Sequence, residues 1–516
     1  MASPTYDFVI VGGGTAGLVV ASRLSEDPSQ RILVIEAGSD STDDPRVKTP
    51  ALYPALMGSE ADWNFHTQPQ DLVDSWETLG NNGWNWSTLR DYFSKAYTAP
   101  TVAETEERNL GIQGWNLSSQ ASSGPLQLSF HGDFDHPIRR TWEETFKILG
   151  YSMPDKTFLN SSIGSFSYAV AERIIFENVG GLLRASGVYY FHENTTKSVA
   201  CSKEVIITAG AFQSPKLLEL SGIGNRELLA RHGIESVKDL PGVGENLQDH
   251  VVAEPDALSQ AMQDYITKQA GWLTSMGLWS YAYLPTMQYF SEGNQGKLKE
   301  LLEQHRPPAQ QNPFGTRDRE FYKLAEEALL NPKRPSGCAF SVVAQIVSPV
   351  DPGSDSPAGP VEGNFVSLVS LLSQPLSRGN VHISSNKATD APTIDPKYFS
   401  NPVDMDIFAH NMLYLETMAR SPPFSNLLKK PLKRRDPASN LTDLDAAMNF
   451  IQSSCISMWH YGGTCSMLPE DKGGVVNPSL RVYGVPNVRV VDLSALVVYA
   501  FAERAADLIK ATYNLV

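Results

Sequence analysis

Apolar residues gather in short runs near both ends of the chain and in longer amphipathic spans between them, and the first runs are punctuated by glycine. FVIV (8–11) has the pattern of a strand in a parallel sheet covered on both faces. A glycine cluster follows, then LVVASRL (18–24), apolar at helical intervals, then a second strand in RILVIEAG (31–38). ERIIFENV, GVYYFHEN and CSKEVIITAGAF, separated by GG and ENTTKS, predict a small antiparallel unit leading back into a parallel sheet. The last of these opens into a helix at SPKLLELSG. Residues from about 40 to 170 are rich in loop formers. From about 256 to 450, polar helices, Pro-rich connectors and strands such as FVSLVSLL and GNVHISS predict a separate domain, an antiparallel sheet with helices against it. NVRVVDLS and YAFAERAADLIKATY close the chain with strand and helix.

The opening glycines carry the first chemistry. Gly12, Gly14 and Gly17 have G-x-G-x-x-G spacing: the first suits a tight turn, the second lets backbone approach a pyrophosphate, and the third allows close packing of helix on strand. Unpaired amides at the helix start, from Thr15, Ala16 and Gly17, would face the anion. Glu36 ends the second strand nineteen residues beyond Gly17, where a carboxylate accepts hydrogen bonds from a ribose diol, with Ala37 beside it. An acid there disfavours a 2′-phosphate, which leaves FAD and NAD.

Composition narrows the field. The 516 residues are 41% hydrophobic, enough for more than one core. A formal charge of −15 argues against nucleic acid, and LKKPLKRRD (428–436) is read as a solvated loop. Four cysteines form no CxxC pair, and MASPTYD has no features of a secretory signal, so a cytoplasmic location is expected and the sequons at Asn85, Asn116, Asn160, Asn194 and Asn440 are ascribed to chance. No segment reads as a membrane span.

GAFQSPKLLELSGIG (210–224), VGGGTAG with VIEAG, LPGVGENLQDH (240–250), LSRGNVHISS with APTIDPKYFS, WHYGGTCSM (459–467) and VYGVPNVRVVD (482–492) together resemble the glucose-methanol-choline (GMC) flavoprotein oxidoreductases, fungal type, across nearly the whole chain. The resemblance implies an α/β plus α+β fold: a Rossmann-like FAD-binding domain, discontinuous over 1–62, 165–255 and 455–516, and a substrate domain over 63–164 and 256–454. It implies FAD as cofactor, with Trp63, Asp492 and Leu493 near the flavin, and a small alcohol as substrate, an aromatic or polyketide-like one from secondary metabolism being the guess. His460 matches the family's base, and an imidazole with a pKa near ~6.5 suits proton abstraction around neutrality.

Three departures stand against this pattern. The glycine- and serine-rich signature expected between FHTQPQ and DSWETLGNNGWNW is missing, since only three residues, Asp71, Leu72 and Val73, separate Gln70 from Asp74. Only SFSYAVAE separates Gly164 from Arg173, where relatives carry a longer segment. No histidine follows His460, and residues 493–502 contain no Gly or Pro, so the last strand is expected to run directly into the helix. A catalytically impaired relict is therefore the alternative, and an NAD-dependent dehydrogenase a third reading. HGDFDHP (131–137) is read as a polar loop and no metal is expected. His250 is assigned to packing, and Cys465 to a buried small residue, since nothing adjacent would lower its pKa.

Overall fold

The structure, a computed structural model, describes residues 4–38, 73–98, 124, 126–127, 170–192, 195–253, 278–286, 290, 295–308, 314–334, 336–342, 363, 365–434, 436–458, 460–494 and 498–515. Strand β1 (Thr5–Val11) buries Phe8, Val9 and Ile10 completely. It feeds helix α1 (Thr15–Leu24), which turns Ala16, Gly17, Val20 and Leu24 inward, and β2 (Ile32–Ile35) returns parallel to β1. This is the predicted β–α–β unit. Two further helices, α2 (Val73–Thr78) and α3 (Trp86–Ala96), follow, the second capped by the Asn85 side chain on the Thr88 amide.

β3 (Val170–Val179) and β4 (Leu182–His192) form an antiparallel hairpin. Its turn is Gly180–Gly181, both in the left-handed region that a two-residue hairpin of this hand requires. β3 begins at Val170, inside the shortened SFSYAVAE stretch. β5 (Thr195–Ile207) then does two jobs in thirteen residues. Its first half pairs antiparallel with β4, while its second half pairs parallel with β1, so the expected return to a parallel sheet happens inside one strand. Helix α4 (Gly210–Leu220) leaves its end, with Pro215 in its interior.

The middle of the chain builds two more sheets. β6 (Glu245–Leu247) pairs with β11 (Gly379–His382), which pairs with β12 (Thr393–Asp395). β7 (Val251–Ala253), β8 (Leu278–Leu284), β9 (Gly337–Val342), β10 (Ser367–Leu371) and β13 (Cys455–Ser457) form a five-stranded antiparallel sheet in the order β8-β9-β10-β7-β13. FVSLVSLL and GNVHISS thus join different sheets. A second core lies between this sheet and helices α5 (Gln295–Gln304), α6 (Gly315–Leu330), α7 (Pro402–Arg420) and α8 (Leu444–Ser454). The α7 start is signalled locally: Asn401 caps the Val403 amide and Pro402 occupies the first turn.

β14 (Val488–Val490) completes the first sheet, parallel to β5. Its Arg489 is fully buried and pairs with the equally buried Glu204 of β5 at 2.7 Å. Helix α9 (Val498–Tyr513) packs on α1 and α3; Phe501 stacks on Trp84, and Tyr513 donates to Glu204. The direct run from strand to helix is corrected here. The chain bends at Asp492–Ser494, and the bend needs no glycine because the Asp492 carboxylate accepts both the amide and the hydroxyl of Ser494. Residues 495–497 lie outside the described residues.

Candidate active site

The carboxyl ends of β1, β5 and β14 meet where α1 and α4 begin. Gly12 sits at φ +112°, and a Cβ on it would come within 2.2 Å of the Thr208 carbonyl oxygen. A Cβ on Gly17 would lie 2.0 Å from the Gly12 carbonyl oxygen, so both positions admit only glycine. Gly14 is different: it is exposed, and a Cβ there would meet nothing within 4 Å. It is the N-cap of α1, with no side chain capping the helix, and Thr15, Ala16 and Gly17 follow it in the first turn. An open, uncapped helix start next to bare backbone is a site for an anion. Glu36 stands beside it, its carboxylate accepting the Gly13 and Gly38 amides at 2.5 Å each, with Ala37 between β2 and Gly38. Each oxygen keeps a lone pair for a hydroxyl donor.

Asp492 is buried at the start of α4, and both its oxygens are engaged within the protein. Oδ2 accepts the Gly210 amide and the Ser214 hydroxyl at the start of α4, while Oδ1 accepts Ser494. It therefore caps α4, whose first residue is 282 positions away, not the helix that follows it. Burial raises its pKa, against the pull of those donors. The Leu493 carbonyl accepts the Gly463 amide, and Ser494 accepts that of Cys465, which ties this bend to the GGTC segment. Pro215 removes the amide that would have bonded the Ala211 carbonyl in α4, and the Thr464 hydroxyl donates to that carbonyl instead, at 2.6 Å. Cys465 is fully buried and burial pushes its thiol well up, away from nucleophilic use.

His460 lies just before this segment. His250 and Met458 share a backbone hydrogen bond, and Gln248 and Gly462 share two, so two steps along one arm match four along the other. The surplus is an irregular bulge, a device that re-aims side chains. His460 sits in it, held at its backbone amide by Asp249 and at its ring by His250, Nδ1 to Nδ1 at 2.6 Å. The two rings meet edge to face. Asp249 also accepts the Tyr398 hydroxyl, and burial raises the pKa of both groups. His250 is 3% exposed; burial drives its pKa down to about 4, against the upward pull of a hydrogen bond with the Ser373 backbone, and Arg378 adds a smaller push downward.

The structure thus places Gly12, Gly14, Thr15, Ala16, Gly17, Glu36 and Ala37 in one cradle and Asp492 and Leu493 in the bend at the start of α4, with His460 joined to that bend through Gly462–Cys465. Trp63, HGDFDHP and Gln70 of the first departure lie outside the described residues. Among the described residues no group of three His, Cys, Asp or Glu side chains is placed to hold a metal, and no helix is long and apolar enough to cross a membrane. Asp249, His250, Tyr398 and Thr464 were not picked out as site residues. Each acts on a partner more than a hundred residues distant, so no local spacing announces it; the LQDH motif was the available sign, and its His250 was assigned to packing.

Comparison with known proteins bears on what the arrangement is for. A "GMC oxidoreductase family protein Mala s 12" of Malassezia sympodialis is 28% identical, over 98% of this chain and 92% of its own. "Dehydrogenase citC" of Monascus ruber is 29% identical, over 98% and 96%. These alignments run over 592 and 614 positions, more than the 516 residues here, so the relatives carry segments with no counterpart in this chain. Among solved structures, a FAD-dependent oxidoreductase from Chaetomium thermophilum superposes with a TM-score of 0.81 at 24% identity, covering 99% of this chain and 100% of its own, and a fungal aryl-alcohol oxidase with 0.76 at 22%, covering all of both. Those two likenesses show the fold. The N-terminal GMC oxidoreductase model matches residues 6–252 and the C-terminal one residues 375–503, and the chain belongs to the GMC oxidoreductase family.

Proposed function

We propose that the protein is a FAD-dependent oxidoreductase that oxidises the CH–OH group of a small alcohol with His460 as base. The observation that carries this is the open cradle at Gly14, built as a pyrophosphate site in a chain of this family. Gly12, Gly14, Thr15, Ala16 and Gly17 would hold the phosphates, Glu36 and Ala37 the ribose, and Asp492 and Leu493 the flavin side through their backbone. In this reading 1–62, 165–255 and 455–516 form the cofactor domain, and 63–164 and 256–454 enclose the substrate. FAD, when bound, supplies the acceptor for a hydride. The chain's own part is to orient the alcohol and remove its hydroxyl proton at His460, whose backbone is fixed by Asp249. The aryl-alcohol oxidase among the fold neighbours supports an aromatic alcohol.

The purified protein is expected to show flavin absorbance that bleaches anaerobically with an aromatic alcohol. His460→Ala should slow bleaching by roughly 10²- to 10⁴-fold; bleaching at the parent rate removes His460 from the role. A second reading, a relict that keeps the fold without turnover, is favoured by the segments the relatives have and this chain lacks. Absorbance without bleaching by any alcohol supports it.

A further inference from the structure

We infer that His250 is a positioning residue for this site: its buried imidazole accepts the Nδ1–H of His460 and so presents the Nε2 lone pair of His460 as the proton acceptor. The inference rests on the reading of His460 as base. The tautomers follow from the partners. The backbone hydrogen bond with Ser373 favours the protonated ring of His250, which makes the ring the donor and the carbonyl the acceptor. His250 Nδ1 is already engaged by His460, so Nε2–H makes that bond and Nδ1 is left with its lone pair. The short contact between the two Nδ1 atoms then needs its proton on His460. A neutral His460 with Nδ1–H carries its lone pair on Nε2, and a proton arriving from an alcohol O–H enters there. The resulting imidazolium still donates Nδ1–H to His250, and a charged donor makes the stronger bond.

The groups facing His250 explain why it holds the proton's carrier and does not take the proton. Arg378 is a half-buried cation nearby, and the neighbouring Asp249 spends its carboxylate on the His460 and His250 amides and the Tyr398 and Ser457 side chains, not on the His250 ring. Burial leaves His250 neutral through the range where His460 would work. The proton therefore stays on the outer ring.

The test is nuclear magnetic resonance of the flavin-loaded protein with ¹⁵N-labelled histidine, the two rings assigned by their loss in single variants. At neutral pH, His460 is expected as the Nδ1–H tautomer and His250 as Nε2–H, with coupling across the Nδ1–H···Nδ1 bridge. His460 bearing its proton on Nε2 overturns the inference. His250→Phe should lower the pKa of His460 by roughly one unit, by loss of the acceptor for the charged form. His250→Asn, whose amide oxygen can accept, should recover most of that shift; an unchanged titration in His250→Phe also overturns the inference. If instead the tautomers are as stated and His460→Ala bleaches at the parent rate, the pair stands and the base assignment alone falls.

Discussion

The glycine cradle and the histidine corner reach a defined geometry by opposite routes. The cradle is built almost wholly from residues 5–38, one strand, one turn and one helix, with Thr208 as the main distant contributor. The corner has no local existence: His250 and His460 stand 210 residues apart and meet because β7 pairs with β13. A local site is specified by what cannot be added to it, here a Cβ. A long-range site is specified by the strand register that delivers its parts.

That contrast is open to measurement. The largest effect should come from Gly12→Ala, which adds a Cβ into the Thr208 carbonyl at positive φ. It should lower stability by roughly 3–5 kcal/mol in urea unfolding and abolish flavin retention. A variant that purifies yellow and stable would show that the cradle is not rigid.

Long-range assembly is probed next through His382 of β11, which bonds Glu219 of α4 at 2.7 Å and lies near Glu245 of β6. Burial alone would lower its pKa, but the two carboxylates outweigh burial and hold it at about 9. The folded pKa is raised above the unfolded value, so its stabilisation is complete below about pH 6.5 and is lost as pH rises through 9. Unfolding free energies should fall by on the order of 3 kcal/mol across that window, and His382→Gln should flatten the profile.

Thr464→Val should cost about 1–3 kcal/mol, because it strands the buried Ala211 carbonyl that Pro215 freed. Neutrality there would mean that the helix relaxes to find another donor. The smallest stability effect belongs to Gly14→Ala, less than about 1 kcal/mol, because its Cβ meets open space. Flavin affinity, measured by fluorescence titration, should nevertheless drop. Equal losses of stability at Gly12 and Gly14 would erase the distinction between a structural glycine and one reserved for a ligand.

What the sequence made legible follows the same division. The first β–α–β unit and the Gly180–Gly181 hairpin rest on interactions within a few residues, and pattern alone placed them. The bend at Asp492 was missed because a carboxylate made the turn that a glycine or proline was expected to make. Asp492 as the cap of α4, and His250 as the neighbour of His460, depend on tertiary register, which hydrophobic periodicity does not encode. Thr464 escaped notice for a related reason: Pro215 signals a freed carbonyl, but not which distant hydroxyl will answer it.

The Thr464–Pro215 link also constrains anyone splicing this protein with a relative. The GAFQSP helix and the GGTC segment come from opposite halves of the chain, yet one lacks an amide that the other's hydroxyl replaces. A chimaera joined anywhere between them must inherit both members of the couple or neither, so the two motifs behave as a single heritable unit despite the 250 residues that part them.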